Sequence, residues 1–283
     1  MEIIIGKYSG FCNGVRFTVE EADKALDGEK DIYCLGEIVH NERVIKDLEE
    51  KGMKTISKIE EAPNNSKVII RAHGELKETY EKADKKQLEL LDLTCGKIKA
   101  IRVKIKNKIE DHFIVIIGKK NHPETLGVQS FAGEYSDIVE EIEDINKCEE
   151  KYKSSNKKKV YIVSQTTFNK DKFDILVQEI QKRLEGNIVI DKTICDATEK
   201  RQEETRELSK NVDCMIIVGG KKSSNTKELE VISKEYCKNV YLVQEKKDLE
   251  EIEIKKDYKV GIMAGASTPE IVVKEIVNYL ESM

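Results

Sequence analysis

The sequence contains no tryptophan, and only 3 prolines and 6 phenylalanines among 283 residues. With 39% hydrophobic and 36% charged residues, it reads as a well-solvated α/β protein and not as a disordered chain. A basic excess is also missing: 49 Lys and Arg stand against 54 Asp and Glu, a net charge of −5. Non-specific nucleic-acid binding relies on basic surface to displace counterions, so that class is excluded. The stretch KYKSSNKKK at 151–159 is expected to be a solvated loop. No apolar run approaches the ~20 residues that span a bilayer. The start MEIIIGKYSG lacks the basic segment and small-residue cleavage site of a secretory signal. A cytoplasmic protein is expected, with neither nucleic acid nor membrane as a partner.

Paired cysteines are absent too. Cys12, in GFCNGVR, has no second cysteine within twenty residues, which excludes a CxxC redox pair and a local zinc knuckle. The 7 cysteines are odd in number and widely spread, so no disulfide framework is expected. No G-x-x-x-x-G-K-[ST] phosphate loop occurs either.

What is present is a threefold layout, and the length suggests two or three units. Each third opens with a cysteine feeding an amphipathic stretch: FCNGVRFTVEEADKAL, TCGKIKAIRVKIKNKI and ICDATEKRQEETRELSKNV. Val15, Val19, Ala22 and Leu26 share one helical face in the first, and Ile98, Ile101, Ile105 and Ile109 in the second. The third is weaker, with Leu208 and Val212. Two apolar runs follow in each third: IYCLGEIVHN and KVIIRAHGE, FIVIIGKKNHPE and VYIVSQTTF, CMIIVGGKKSSNT and YKVGIMAGASTPE. Stretches such as ERVIKDLEEKG and TKELEVISKEYC lie between them. Six strands ending in six polar loops, with helical crossovers and parallel pairing, are expected. The fold class is α/β, as three pseudo-equivalent small domains with mainly parallel sheets. Ligands of such sheets gather beyond the carboxyl ends of the strands.

Cys12, Cys95 and Cys195 hold equivalent places, separated by 95 − 12 = 83 and 195 − 95 = 100 residues. A helix start lowers a thiol's pKa and favours thiolate ligation. Three such thiolates suit an iron–sulfur cluster or a zinc ion with one position open, whereas any one of them alone reads as an inert buried thiol. Cys34, Cys148, Cys214 and Cys237 lack threefold partners and are read as structural. His40, His73 and His122 fall at strand ends, where a binding role is expected; His112, inside EDHFIV, is read as structural. In NHPE, Pro123 keeps His122 out of helical geometry and fixes its relation to Glu124. A carboxyl such as Glu124 can supply protons if burial raises its pKa, or can simply be a first-turn charge. GGKKSSNT and GASTPE place glycines, hydroxyls and an amide before helices, which suits phosphate oxygens as well as plain capping.

The ordered strings GFCNGV, GEIVHN, AHG, TC, HPE, SQTT, TICDAT, RQ, SSNT and AGASTP run through nearly the whole chain. In them the sequence resembles the 4-hydroxy-3-methylbut-2-enyl diphosphate reductases, which catalyse the last step of the methylerythritol phosphate route to isoprenoids. The resemblance implies a trefoil of three α/β domains, at 13–95, 96–192 and 193–283 with 1–12 completing the third. It implies a central [4Fe–4S] cluster held by Cys12, Cys95 and Cys195. It further implies that His40, His73, His122, Ser223, Ser224, Asn225 and Ser267 hold the substrate diphosphate. Thr166 would lie near the reacting end, Glu124 would be the proton source and Thr198 would support the cluster loop. The implied donor is a reduced ferredoxin or flavodoxin. After the second cysteine the family commonly has proline where this chain has Gly96, so a looser helix start is expected. C-terminal RNA-binding repeats, carried by some relatives, are not expected here. The same residues also suit another three-cysteine [4Fe–4S] hydro-lyase, which needs no external electrons, or a zinc-stabilised phosphate-ligand binding module.

Overall fold

The computed structural model describes residues 1–28 and 31–283. The chain divides into two compact units, one of Met1–Glu20, Val39–Glu50 and Asp196–Met283, the other of Glu21–Ile38 and Lys51–Cys195. Three four-stranded sheets carry the fold, and every strand pairing in them is parallel.

The second unit holds two of these sheets. One joins β2 (Ile32–Leu35), β3 (Met53–Ile56), β4 (Lys67–Ile70) and β5 (Glu89–Asp92) in the order β3-β2-β4-β5. The other joins β6 (His112–Ile117), β7 (Ser136–Val139), β8 (Lys159–Ser164) and β9 (Asn187–Ile190) in the order β7-β6-β8-β9. The first unit holds the third sheet, in which β1 (Glu2–Ile5), β10 (Cys214–Val218), β11 (Asn239–Val243) and β12 (Lys259–Ala264) run β1-β12-β10-β11. Read from the other edge this is the same order, with the N-terminal strand as the fourth member.

The helices are α1 (Asn13–Leu26), α2 (Glu42–Glu50), α3 (Lys77–Lys85), α4 (Gly96–Lys106), α5 (Pro123–Ala132), α6 (Asp144–Ser154), α7 (Lys170–Arg183), α8 (Asp196–Ser209), α9 (Ser224–Tyr236) and α10 (Glu270–Ser282). Among the described residues none is long and apolar enough to cross a membrane.

In the β6 sheet, side chains alternate between two cores, as a pleated strand requires. Phe113, Val115 and Ile117 pack with Ile145 of α6 and with Phe173, Leu176 and Ile180 of α7. Ile114 and Ile116 pack with Ile98, Ile101 and Ile105 of α4 and Val128 of α5. Because both faces are covered, β6 reads in the sequence as an unbroken apolar run. The six runs expected as strands are β2, β4, β6, β8, β10 and β12, the two inner strands of each sheet.

The other six strands, all at sheet edges, carry no such signal: MKTI and ELLD interleave polar residues, and several are only part-buried. The 151–159 stretch differs from a solvated loop as well. Its first residues end α6, Lys159 opens β8, and Tyr152 is buried with its hydroxyl donating to the Glu185 carbonyl at 2.7 Å.

Candidate active site

Each of the three cysteines flagged by the threefold pattern is tied down by the same backbone contact. The Cys95 N–H donates to the Ala72 carbonyl at 2.9 Å, two residues past β4. The Cys195 N–H donates to Thr166 at 2.9 Å, two past β8, and the Cys12 N–H to Ala266 at 3.2 Å, two past β12. In every case an edge strand delivers the thiol to the loop that leaves its inner neighbour, and a helix begins at once. None of the three thiols is in a disulfide, and all are part-buried. Cys34, Cys148, Cys214 and Cys237 are buried, and desolvation pushes the thiols of Cys148 and Cys214 up to about 12. Burial fits the structural reading of all four, and thiols desolvated as those of Cys148 and Cys214 are stay protonated.

In the second unit these loops connect through a line of side chains. His73 lies three residues beyond β4, and its ring meets that of His122 edge to face, 5.5 Å between centroids. His122 caps α5 in extended geometry, φ −86° and ψ 136°, and its Nδ1 accepts from the Glu124 N–H at 3.1 Å. That bond places the ring proton of the neutral imidazole on Nε2, so His122 offers a neutral donor where a cation is the other option.

Glu124 is 2% exposed, and its two carboxyl oxygens accept from the N–H and Oγ1 of Thr166 at 2.6 and 2.8 Å. Burial pushes its pKa up to about 7; the two Thr166 bonds and the Arg102 charge oppose that shift. The Thr166 carbonyl in turn anchors Cys195. A carboxyl that is half protonated near neutrality and clamped to one hydroxyl can deliver a proton through it.

In the first unit the other expected binding residues meet. Ser267 Oγ donates to the His40 carbonyl at 3.3 Å. Gly220 also meets this carbonyl: a Cβ there would lie 2.2 Å from it, so the GGKKSSNT loop can approach only with glycine. Ser223 caps α9, accepting from the Thr226 N–H at 3.3 Å, and Ser224 and Asn225 follow in the first turn, buried.

Asn225 is 3% exposed, yet both polar atoms of its amide lack a hydrogen-bond partner. An unsatisfied buried polar group costs about 1–3 kcal/mol, so this amide lowers the stability of the fold. Asn225→Leu is therefore expected to raise Tm by about 2–4 °C and to weaken diphosphate binding at least tenfold, read by thermal melts and calorimetric titration. A lower Tm with unchanged affinity would contradict it.

His112, by contrast, is buried at the start of β6; desolvation lowers its pKa, and Nδ1 lies 3.2 Å from the Lys108 carbonyl. Thr198 is buried in the first turn of α8. Gly96 opens α4 without loosening it, since the Lys99 N–H donates to the Cys95 carbonyl at 3.0 Å. Cys95 has ψ 133°, a conformation a following proline accepts, and a Cβ at Gly96 would meet nothing within 4 Å. Gly96→Pro should stabilise the fold by roughly 0.4–1 kcal/mol in denaturant titrations.

Arg201 lies in the RQ string, to which the sequence alone attaches no role. It is 4% exposed on α8 and donates to the carbonyls of Gly10 and Ala197, fastening the segment before Cys12 to the helix after Cys195. The signal was the polar face of α8, whose buried residues are Thr198, Arg201, Gln202, Thr205 and Ser209.

Sheets of one repeated order, with thiols and imidazoles at the loops beyond their carboxyl ends and a buried acid in the helix turn that follows one of them, define an α/β enzyme of threefold plan. The profile of the LytB protein family matches residues 3–281. A relative from Caldanaerobacter subterraneus named 4-hydroxy-3-methylbut-2-enyl diphosphate reductase is 39% identical, over 100% of this chain and 98% of its own. One of the same name from Clostridioides difficile is 36% identical, over 100% of both. Among solved structures, the E-1-hydroxy-2-methyl-but-2-enyl-4-diphosphate reductase from Plasmodium falciparum superposes with a TM-score of 0.90 at 31% identity, covering 98% of this chain and 87% of that one. A structure of (E)-4-hydroxy-3-methyl-but-2-enyl diphosphate reductase, described as the terminal enzyme of the non-mevalonate pathway, gives 0.72 at 35% identity, over 100% and 99%. The chain belongs to the LytB family.

Proposed function

We propose that the chain reduces (E)-4-hydroxy-3-methylbut-2-enyl diphosphate to isopentenyl and dimethylallyl diphosphates. Two electrons and two protons enter, the allylic C–O bond breaks, and the hydroxyl leaves as water. The observation that carries this reading is Glu124, a fully buried carboxyl with a pKa near 7 bonded to a single hydroxyl, on a chain whose relatives bear that enzyme's name.

Cys12, Cys95 and Cys195 would hold a [4Fe–4S] cluster. The donor set fits: three part-buried thiols at helix starts, none in a disulfide, with Cys34 buried and Cys148, Cys214 and Cys237 buried among apolar side chains. When bound, the cluster supplies the electrons and an iron free of protein ligands to act as a Lewis acid towards the hydroxyl oxygen. Reduced ferredoxin or flavodoxin is the electron source, and the cytoplasm is the place of work.

The diphosphate is taken by His40, His73, His122, Ser223, Ser224, Asn225 and Ser267. Directed hydrogen bonds from imidazole, hydroxyl and amide suit an acidic chain without a lysine cluster. The His122 cap supports this: with Nδ1 accepting from the Glu124 N–H, the imidazole is fixed in orientation at the start of α5. Thr166 Oγ1 passes the proton held on Glu124 towards the departing hydroxyl, and Glu124 recovers it from solvent between turnovers. Burial of the acid keeps competing water away from it.

Anaerobic turnover with the cluster-loaded chain and reduced viologen tests the proposal. Viologen should be consumed only when the hydroxylated diphosphate is present, with isopentenyl and dimethylallyl diphosphates as products. Product formation without reductant would support a hydro-lyase, and colourless protein with stoichiometric zinc would support a binding module.

A further inference from the structure

Arg102 is absent from the residues that the resemblance or the threefold pattern assigns. It projects from α4, the helix that starts beside Cys95, and its guanidinium is engaged on several sides within the second unit. Nη2 donates to the Glu75 carbonyl at 2.9 Å, and Nη1 donates to the Tyr80 hydroxyl of α3 at 3.0 Å. The guanidinium carbon stands 4.5 Å from the ring centroid of Phe131 on α5 and 5.7 Å from that of Tyr80. These two rings meet edge to face at 6.1 Å.

The backbone makes room for the group. A Cβ on Gly74, which has φ +73°, would lie 2.2 Å from Nη2, and one on Gly127 of α5 would lie 3.3 Å from it. Gly74 follows His73 directly. The guanidinium, carried by the helix that begins beside Cys95, thus touches the turn that carries His73 and the helix whose first turn holds Glu124.

We infer that Arg102 is a positioning residue for this site, locking the 73–75 turn onto α4 and α5 so that His73 is held in place against His122. Two features favour this over generic packing. First, the bonded carbonyl belongs to the turn itself, whose own closure is the Gly74 N–H to Arg71 carbonyl bond at 2.9 Å. Second, the fit needs a planar group that donates to two acceptors while lying against two rings, which guanidinium provides and an ammonium does not. The Arg102 charge also acts on Glu124, restraining the rise that burial imposes on that carboxyl.

The kinetic part of the test rests on the proposed reduction, and the structural part does not. In full-chain, cluster-loaded protein, Arg102→Lys and Arg102→Met should each raise KM for the hydroxylated diphosphate about tenfold while kcat stays within about threefold, the pattern of lost ground-state positioning. Hydrogen exchange at the Gly74 and Thr79 amides should quicken at least about tenfold, with the β6 amides unchanged. Phe131→Leu, which removes the ring and keeps the charge, should give the same pattern more weakly. KM within about twofold of wild type in the Lys and Met variants, or exchange quickened equally in β6, overturns the inference. Should the wild-type chain show no turnover, the proposed reduction fails by itself. Calorimetry with inorganic diphosphate then decides: a tenfold loss of affinity in both variants supports the positioning role, and unchanged affinity overturns it.

Discussion

Glu124→Gln is expected to bind the hydroxylated diphosphate with near-normal affinity and to lose about a hundred- to ten-thousandfold in kcat, the usual contribution of a positioned acid. The amide keeps the shape: its oxygen can accept from the Thr166 N–H while its NH2 donates to Oγ1, in place of the two bonds the carboxyl oxygens accept. It cannot release a proton. In the wild-type chain kcat should fall as pH rises through about 7, where the carboxyl ionises, and that alkaline limb should vanish in the variant.

The same shift has a stability consequence. Burial raises the folded-state pKa from 4.5 to about 7. The contribution is therefore fully present below the unfolded value and lost as pH climbs through the folded one. At ~1.4 kcal/mol per unit the difference is on the order of 3 kcal/mol. Glu124→Gln should thus gain stability relative to wild type between about pH 4.5 and 7. Stopped-assay product analysis and denaturant titrations across pH check both halves. A variant with kcat within tenfold of wild type would end the proton-donor role.

The second large effect concerns the thiols. Replacing Cys12, Cys95 or Cys195 by serine should give colourless protein after anaerobic reconstitution, without the broad absorbance near ~400 nm, and no measurable turnover. Each thiol is accessible and shares one backbone anchor, so none can substitute for another. Cys148→Ala is the contrasting case: that thiol is buried in the core behind β6 and should retain full colour while costing about 1 kcal/mol of stability. Iron and sulfide analysis, with the absorbance spectrum, read the outcome. Full iron content in any of the three serine variants would remove that residue from the ligand set.

The sequence was most readable where burial is two-sided. β6, β8, β10 and β12 appear as unbroken apolar runs because helices cover both faces. Edge strands such as β5 and β9 need satisfy only one neighbour and tolerate Glu, Asp and Asn, so periodicity passed over them. α8 looked weak as an amphipathic helix for a different reason, since its inward face is polar and binds backbone. Glu124 could be singled out from His122-Pro123-Glu124, but its elevated pKa could not. That comes from burial in the folded chain, and the Thr166 bonds that oppose it depend on the pairing of β6 with β8. Arg102 lay among ordinary helix charges and Arg201 had only the RQ string to mark it; the glycine and carbonyl surfaces they meet show what each does.

The repeated cysteine anchor also sets an order of events during synthesis. Cys95 and Cys195 attach to Ala72 and Thr166, residues the ribosome has already made. Cys12 attaches to Ala266, and β1 pairs with β12, so both must wait for nearly the whole chain. At translation rates of about 5–20 residues per second that delay is roughly ten to fifty seconds. Through this interval the nascent chain exposes a thiol and an apolar strand with nothing to close on. Any group that needs all three thiols can be inserted only once the last strand is out, which makes the earliest cysteine in the chain the last to be placed.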